Sequence, residues 1–493
     1  MDFLTIASLK SRKEADLLVI PFFKSHKQAQ AAFDIDPFKK ILADPLATHD
    51  FLGKEGEIMF LYVSGQQEKR LALLGLGDES DITVEKLRKS YSSVTKECRR
   101  KKLGKVNLCL PRCPSMAQAD VARGVSEGLL LANYAFDALK YDAIKDNKAV
   151  LIEKVTLIEG SKADLAIAEK VAVICEAVNF VRDLVNGNAD DVTPQHLAAV
   201  ARGLEKTCKH VKTTVFDKKR IEKEKMGLLL AVNRGSNTDP AFIIIEYKGN
   251  AKSTDHTVIV GKGITYDTGG LFIKPRGSME TMKDDMAGGA AAMGIIHAVA
   301  ALGLKVNVTA VIPSTENSIG PKSYKPGDVY TSYAGKTIEI TDTDAEGRLV
   351  LADALAYAVK HLKPSRIIDM ATLTGSIMIA LGEEASGLMS NNDALADLLA
   401  RAGSETGERV WRMPMYEEYK ESLKSDIADM KNSGGRLAGA SIAATFLMEF
   451  IGKIPWAHLD IAGTAFHGDS KRYHLKYATG VGVRLITSLL ESL

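Results

Sequence analysis

The stretch Ile340-Thr-Asp-Thr-Asp-Ala-Glu-Gly-Arg-Leu-Val350 connects a strand-like run, residues 337–340, to a helix-like pattern over residues 349–362. A strand that passes through a short turn into a helix is the building unit of an α/β fold. Three acids stand at alternate positions, 342, 344 and 346. Alternate residues of extended backbone point to one face, so the pattern predicts that the three carboxylates converge.

Converging carboxylates repel one another and raise each other's pKa unless cations lie between them. An acidic turn on the protein surface is the alternative interpretation of the same residues. We favour a site for hard cations, because carboxylate oxygens are ligands that suit Mg²⁺, Mn²⁺ or Zn²⁺.

The second half of the chain contains long apolar runs that predict strands buried on both faces of a sheet. These predicted strands are residues 227–232, 241–247, 257–260, 306–312, 366–371 and 456–461. Helical patterns over residues 285–302 and 348–361 separate some of them. The alternation predicts a three-layer α/β/α domain with a mostly parallel central sheet, in which site residues gather where strands end.

The first part also alternates strand-like and helical segments, which predicts a separate α/β domain. Its predicted strands are residues 16–22, 58–63, 70–76 and 105–110, and its predicted helices are residues 119–131 and 162–181. A run of turn-forming residues, Asn186-Gly-Asn-Ala-Asp-Asp-Val-Thr-Pro194, follows the last helix. The chain has 493 residues, enough for two domains, which we place at residues 1–180 and 181–493.

Composition restricts the classes of function. The formal net charge is +2, which argues against a protein whose main role is to coat nucleic acid. A basic string at residues 96–105 is either a solvated helix end or a local patch that binds anions or nucleic acid. Five irregularly spaced cysteines, no secretory leader and no apolar run of membrane-spanning length predict a cytoplasmic protein without a membrane segment.

Two further segments place charged residues at predicted junctions between strands and helices. In Val258-Ile-Val-Gly-Lys-Gly-Ile-Thr-Tyr-Asp-Thr-Gly-Gly270, Lys262 and Asp267 follow a buried strand, and a structural ion pair is the alternative to a ligand role. In Met282-Lys-Asp-Asp-Met286, Asp284 and Asp285 cannot both face one point, so at most one of them is a ligand. An acid at the start of a helix is the alternative role for Asp285.

Charge balance favours one shared site. The four carboxylates that would balance two divalent cations are those of Asp267, Asp285, Asp344 and Glu346. Lys262 could then bind as a neutral amine, because neighbouring cations and burial both lower the pKa of a lysine. Two ions about 3.5–4 Å apart can activate a shared water and polarise a carbonyl. Lys274 and Arg348 remain as positive groups for an oxyanion or a bound anion.

Several other catalytic classes lack their motifs in this sequence. There is no His-Glu-x-x-His, no Gly-x-Ser-x-Gly, no Walker A sequence, and no Gly-x-Gly-x-x-Gly with an acidic partner. His458 lies in an alternating apolar run, Trp456-Ala-His-Leu-Asp460, and is predicted to be a core histidine. A different two-metal hydrolase, such as a phosphatase, stays open at this point.

The chain resembles the leucyl (cytosol) aminopeptidases, a family of two-metal exopeptidases. The segment Asp342-Thr-Asp-Ala-Glu-Gly-Arg-Leu349 is similar to the family signature Asn-Thr-Asp-Ala-Glu-Gly-Arg-Leu, with Asp342 in place of the asparagine. Further similar segments are Gly261-Lys-Gly-Ile-Thr-Tyr-Asp-Thr-Gly-Gly-Leu271, Lys283-Asp-Asp-Met286, Ala371-Thr-Leu-Thr-Gly375, Gly434-Gly-Arg-Leu-Ala-Gly439, Trp456-Ala-His-Leu-Asp-Ile-Ala-Gly463 and Ala478-Thr-Gly480.

The resemblance implies roles for the site residues. Lys274 would stabilise the tetrahedral intermediate, and Arg348 would hold a bicarbonate that relays protons. Two metal ions, Mn²⁺ or Zn²⁺, would be bridged by Asp267 and Glu346. The full set of metal ligands would be Lys262, Asp267, Asp285, Asp344 and Glu346. The pocket for the substrate side chain would include Met282, Thr372, Gly375, Ala462 and Ala465.

The resemblance also implies an assembly and a reaction. The N-terminal domain would be macro-like, with a role in oligomerisation or regulation, and the catalytic domain would be zinc-peptidase-like. Six copies would form a hexamer built as two trimers. The enzyme would hydrolyse N-terminal amino acids, leucine and other apolar residues among them, from peptides with a free N-terminus, and so contribute to intracellular peptide turnover.

Overall fold

The computed structural model describes residues 1–25, 29–35, 38–141 and 149–493. The chain divides into two compact units, one of Met1–Cys175 with Asp469–Leu475 and one of Glu176–Gly468 with Lys476–Leu493. The division after residue 175 falls within a long helix, Lys162–Asn186. Among the described residues, no helix is both long and apolar enough to span a bilayer.

The first unit contains a seven-stranded sheet. Its strands are Asp2–Ile6 (β1), Leu17–Phe23 (β2), Gln30–Ala31 (β3), Ile58–Tyr62 (β4), Arg70–Gly75 (β5), Lys105–Cys109 (β6) and Lys154–Ile158 (β7). The strand order is β1-β7-β6-β2-β5-β4, with β3 beside β2. The order is parallel from β1 to β5, whereas β3 and β4 pair antiparallel. All seven residues of β2 are buried, as expected for a central strand covered on both faces.

Helices cover this sheet, as the alternating pattern predicted. The helices are Lys39–Ala47 (α1), Val84–Lys101 (α2), Gln118–Ala132 (α3) and Lys162–Asn186 (α4), the last of which continues into the second unit. The basic string at residues 96–105 covers the end of α2, whose last turn contains Arg99, Arg100 and Lys101. Cations are favourable at a helix C-terminus, where backbone carbonyls concentrate negative charge, and the string lies where the helix-end interpretation places it.

The second unit contains a nine-stranded sheet and two small ones. The large sheet has the order β17-β16-β19-β15-β10-β12-β9-β8, with β11 beside β12, and its centre, from β19 through β15 and β10 to β12, is parallel. The strands are Val211–Phe216 (β8), Ala241–Lys248 (β9), Thr257–Gly261 (β10), Gly263–Asp267 (β11), Asn307–Asn317 (β12), Val329–Thr331 (β13), Thr337–Glu339 (β14), Arg366–Ala371 (β15), Ser386–Ser390 (β16), Val410–Arg412 (β17), Met430–Lys431 (β18), Trp456–Asp460 (β19), Phe466–His467 (β20) and Tyr477–Ala478 (β21).

Helices bury both faces of the central strands, which confirms the predicted α/β/α class. The helices are Pro194–Thr207 (α5), Lys218–Glu224 (α6), Gly227–Asn233 (α7), Ala287–Leu302 (α8), Glu346–Leu362 (α9), Gly375–Leu381 (α10), Asp393–Thr406 (α11), Gly439–Met448 (α12) and Val483–Glu491 (α13). Both α8 and α9 pack on β10, all of whose residues are buried. His458 on β19 is fully buried, with Nδ1 2.5 Å from Asp369 Oδ1.

The strand predicted at residues 227–232 is wrong, because this segment is the helix α7. A short apolar run does not distinguish a buried strand from a buried helix by periodicity alone. The carboxylate of Asp353 stabilises the helical conformation. Its Oδ2 accepts hydrogen bonds from the backbone N–H groups of Leu228 and Leu229, at 2.9 and 3.0 Å, which satisfies the first turn of α7.

Glycines let α8 lie directly against the central strands. A Cβ atom at Gly288 would lie 2.0 Å from Met370 O, and one at Gly261 would lie 2.4 Å from Gly288 O. The N–H of Gly289 donates to Lys262 O at 2.7 Å. This close approach explains the Ala-Gly-Gly-Ala sequence, and it brings the residues just before α8 next to the end of β10.

Candidate active site

The five residues predicted as metal ligands come together where strands end and helices begin. Lys262 follows β10, and Asp267 ends β11. Asp285 lies just before α8, Asp344 lies in the turn before α9, and Glu346 is the first residue of α9. All except Asp344 are buried, and 36% of the Asp344 side chain is exposed. Such an edge of a mostly parallel sheet is the usual place for a ligand site in an α/β domain.

Two lysines connect the four carboxylates, which we call the carboxylate cluster: Asp267, Asp285, Asp344 and Glu346. Lys262 Nζ lies 2.7 Å from Asp285 Oδ1 and 2.8 Å from Glu346 Oε1. Lys274 Nζ lies 2.8 Å from Asp267 Oδ2 and 2.7 Å from Asp344 Oδ1. Oxygens of Asp267, Asp344 and Glu346 all lie within 4.8 Å of one another, a spacing at which they could hold a metal ion.

Within the cluster, protein donors hold some oxygens and leave others without a partner. Asp267 Oδ1 accepts from Gly269 N and Asn317 Nδ2, both at 2.8 Å. Asp285 Oδ1 accepts from Thr372 Oγ1 at 2.8 Å as well as from Lys262. Asp285 Oδ2 and Glu346 Oε2 are buried and have no hydrogen-bond partner among the described residues. Buried anionic oxygens are costly without a partner, so this donor set fits divalent cations.

The electrostatics of the cluster agree with its geometry. Burial and the Asp267 charge raise the pKa of Glu346 to about 7, and burial also raises the pKa of Asp285 and Asp344 above the ordinary range. Burial lowers the pKa of Lys262, but the nearby carboxylates outweigh burial and leave this pKa above its usual value. The site therefore concentrates negative charge that attracts cations.

The acidic turn differs from the prediction at one residue. Residues 341–345 form a turn and not an extended strand, so Asp342 does not converge with Asp344 and Glu346. Instead, Asp342 Oδ1 accepts a hydrogen bond from Asp344 N at 2.9 Å. The carboxylate thus performs a turn-stabilising role that an asparagine side chain can also perform.

Arg348 is the third residue of α9, and only 8% of it is exposed. Its Nη1 donates to Asn432 O at 2.9 Å, whereas its Nε has no hydrogen-bond partner among the described residues. Burial lowers the pKa of Arg348, and the negative charges of Asp342 and Glu346 oppose that shift. The guanidinium group is therefore fixed beside the site with donor capacity to spare.

The predicted pocket residues lie on several segments. Thr372 contacts the site directly, since its carbonyl accepts from Lys262 Nζ at 3.0 Å. Met282 is half-buried in a 3₁₀ turn, Gly375 is exposed at the start of α10, Ala462 is half-buried and Ala465 is buried. These positions leave the pocket assignment a prediction.

Sequence reasoning missed three buried residues that hold the site together. Asn317 contacts Asp267, and Asn432 Oδ1 accepts from the N–H groups of both Thr341 and Asp342. Asp460 accepts from Leu373 N at 3.1 Å and from Thr374 Oγ1 at 2.6 Å. An acid within an apolar strand-like run was the available signal for Asp460, whereas Asn317 follows Pro313-Ser-Thr-Glu316 and has no comparable signal.

Two family profiles together match almost the whole second unit and much of the first. Residues 179–487 match the profile of the cytosol aminopeptidase family, catalytic domain, and residues 19–143 match that of the family's N-terminal domain. The chain belongs to the cytosol aminopeptidase family. Cytosol aminopeptidases are metal-dependent enzymes that remove residues from the N-terminus of peptides, so the predicted enzyme class is confirmed.

Curated relatives and solved structures agree with this assignment. The chain is 57% identical to a probable cytosol aminopeptidase of Protochlamydia amoebophila, over 100% of this chain and 99% of the relative. It is 47% identical to a probable cytosol aminopeptidase of Chlamydia abortus, over 98% of each. A mutant of tomato leucine aminopeptidase has a TM-score of 0.86 and 29% identity, covering 100% of this chain and 97% of the other. The bottromycin maturation enzyme BotP in complex with Mn has a TM-score of 0.86 and 28% identity, covering 97% and 99%.

Proposed function

We propose that this cytosol aminopeptidase holds two divalent cations, Mn²⁺ or Zn²⁺, at the carboxylate cluster and hydrolyses N-terminal residues, leucine and other apolar ones among them, from peptides. The observation that carries the proposal is the pair of buried, unpartnered oxygens, Asp285 Oδ2 and Glu346 Oε2, beside the oxygens of Asp267 and Asp344. The Mn complex of BotP, a structural relative, supports a manganese assignment.

The residues that would hold the ions are Lys262, Asp267, Asp285, Asp344 and Glu346, with Asp267 and Glu346 shared by both. Four carboxylates match the charge of two dications. Lys262 would act as a neutral amine, because the charge of bound dications opposes the carboxylates that raise its pKa here. When bound, two such ions supply a nucleophilic water near neutral pH and polarise the scissile carbonyl.

Lys274 would stabilise the negative charge that develops on the carbonyl oxygen of the substrate. Its ammonium group lies next to Asp267 and Asp344, and its backbone N–H donates to Thr268 O at 2.9 Å, which closes the loop that carries it. A donor fixed in this way before the reaction begins stabilises an oxyanion without a cost of reorganisation.

Arg348 would bind bicarbonate, which would move a proton during the reaction. Its support is the buried guanidinium group, anchored on one side by Asn432 O and unpartnered at Nε among the described residues. A planar guanidinium group with free N–H donors is suited to a small carboxylate-like anion.

The remaining proposals follow from family membership. The N-terminal residue of the substrate would lie in a pocket formed by Met282, Thr372, Gly375, Ala462 and Ala465. We propose that residues 1–180 form a macro-like domain for oligomerisation or regulation and residues 181–493 the catalytic domain. The enzyme would act as a homo-hexamer in the cytoplasm, where it would contribute to peptide turnover.

Turnover of a panel of aminoacyl amides by metal-stripped enzyme, with and without added Mn²⁺ or Zn²⁺, tests reaction, metal and specificity together. Replacing Glu346 by Ala removes a shared ligand, so we expect most activity to be lost while the circular dichroism spectrum is kept. Glu421→Ala, which removes an exposed carboxylate paired with Lys424, is the control. Wild-type turnover by metal-loaded Glu346→Ala would refute the proposed site.

A further inference from the structure

Asn317 places a buried amide between two segments of the site. It is the last residue of β12, it is completely buried, and it pairs with Asp267 across the β11–β12 ladder. Its Nδ2 donates to Asp267 Oδ1 at 2.8 Å and to Thr343 O at 3.0 Å. One side chain on a rigid strand therefore connects the end of β11 to the acidic turn.

These contacts determine how the amide is oriented. Both partners of Nδ2 are acceptor oxygens, so the nitrogen must face them and Oδ1 must point away. Asn317 Oδ1 is buried and has no hydrogen-bond partner among the described residues. Leaving a buried polar atom unpaired costs free energy, and such an atom in a native structure calls for an explanation.

The need to give these buried acceptors a donor does not explain why an amide occupies position 317. Asp267 Oδ1 also accepts from Gly269 N, and Thr343 O also accepts from Tyr324 Oη at 2.7 Å. Both acceptors would keep a donor without Asn317. What the amide adds is a link between them, which sets the separation and the rotation of the Asp267 carboxylate relative to the turn that carries Asp344.

We propose that Asn317 is a positioning residue for the cation site: it holds Asp267 so that Oδ2 faces the carboxylate cluster. Two donors occupy Asp267 Oδ1, whereas Oδ2 is the oxygen that faces Lys274 and the rest of the cluster. The inference rests on the proposed two-cation site and adds a residue that binds no ion itself. Outer partners of metal ligands typically contribute about 10–100-fold to metal affinity.

The test compares two variants with a matched control. Asn317→Ala removes the amide, and Asn317→Leu replaces it by a somewhat larger apolar side chain that also branches at Cγ, so that no cavity is left. Asn233→Ala removes another buried amide of the same unit, one that donates to Thr238 O at 2.8 Å and Thr315 Oγ1 at 3.0 Å. Isothermal titration of each metal-stripped, full-length protein with Mn²⁺ alone gives Kd and stoichiometry. Thermal unfolding without metal reports on folding.

We expect both Asn317 variants to bind Mn²⁺ about 10–100-fold more weakly than wild type, with turnover partly restored by excess Mn²⁺. Asn233→Ala should lower the unfolding temperature but keep the wild-type Kd. Wild-type affinity in both Asn317 variants, or an equal loss of affinity in Asn233→Ala, would overturn the inference. If the wild-type protein itself takes up no Mn²⁺, the two-cation proposal fails as well, and that outcome is visible before any variant is measured.

Discussion

Adding one methyl group at Gly347 should disable the site while leaving the protein folded. Gly347 is the second residue of α9, and a Cβ atom there would lie 2.6 Å from Lys262 Cε and 2.7 Å from its Nζ. Ordinary contacts between such atoms are about 3.5–4.0 Å, so the end of Lys262 must move by about 1 Å. Its Nζ now lies 2.7 Å from Asp285 and 2.8 Å from Glu346. A misplacement of about 1 Å can cost roughly 100-fold in rate, which is the loss of kcat/KM that we expect for Gly347→Ala.

The effect on stability should be small, because two contributions oppose each other. Alanine is favoured over glycine inside a helix by about 1 kcal/mol, and overpacking typically costs about 1–3 kcal/mol. Most of the strain would fall on the flexible end of Lys262. We therefore expect the free energy of unfolding to fall by no more than about 2 kcal/mol.

The assay combines initial rates on leucine amide in Mn²⁺ with urea unfolding of the same preparations. Gly203→Ala is the control, since Gly203 lies in α5 and a Cβ atom there would meet nothing within 4 Å. That variant should keep full activity and gain stability from the better helix former. Wild-type kcat/KM in Gly347→Ala would refute the reasoning, as would a loss of activity that simply follows a loss of folded protein.

Two other perturbations test separate parts of the structure. Replacing Lys274 by Met should lower kcat about 10²–10³-fold with little change in KM, because the ammonium group acts on charge that develops in the transition state. Steady-state kinetics measures both constants, and a change in KM alone would contradict this role. Burial raises the pKa of Asp353 to about 7 from 3.8, so the folded state retains its proton where the unfolded chain has lost it. This stabilisation is fully present below pH 3.8 and is lost as the pH rises through about 7, by at most about 1.4 kcal/mol per pH unit. Urea unfolding between pH 4 and 7 should show a flatter decline for Asp353→Asn than for wild type, and equal slopes would contradict the prediction.

Local pattern was sufficient for much of the fold and for the charged residues that lie together at the candidate site. The strands β10, β15 and β19 and the helices α8 and α9 lie within a few residues of their predicted bounds. Apolar periodicity and turn formers act over neighbouring residues, so they can be read directly from the chain. The acids at 344 and 346 come together as expected, but through the turn before α9 and the first residue of that helix, and not through extended backbone.

Predictions were wrong where the residues next to a segment in sequence allow its backbone two conformations. The apolar run at residues 227–232 is compatible with either a strand or a helix. The carboxylate of Asp353, far away in sequence, accepts hydrogen bonds from the first N–H groups of the helix. Asp342 was expected to converge with the other acids, but the turn directs its side chain to Asp344 N. In both cases, a hydrogen bond to the backbone determines the outcome, and composition does not indicate which N–H group will be near.

The amino-acid sequence by itself indicated the family and the charged residues that the structure brings close together, namely the four acids and the two lysines. The tertiary structure decided which oxygen of each carboxylate is held and which is left unpartnered. It also decided that Asn317 and Asn432 take part, through hydrogen bonds between residues 50 and 84 positions apart. Such contacts depend on the order of strands in the sheet, and strand order results from the packing of the whole unit and not from the preferences of neighbouring residues.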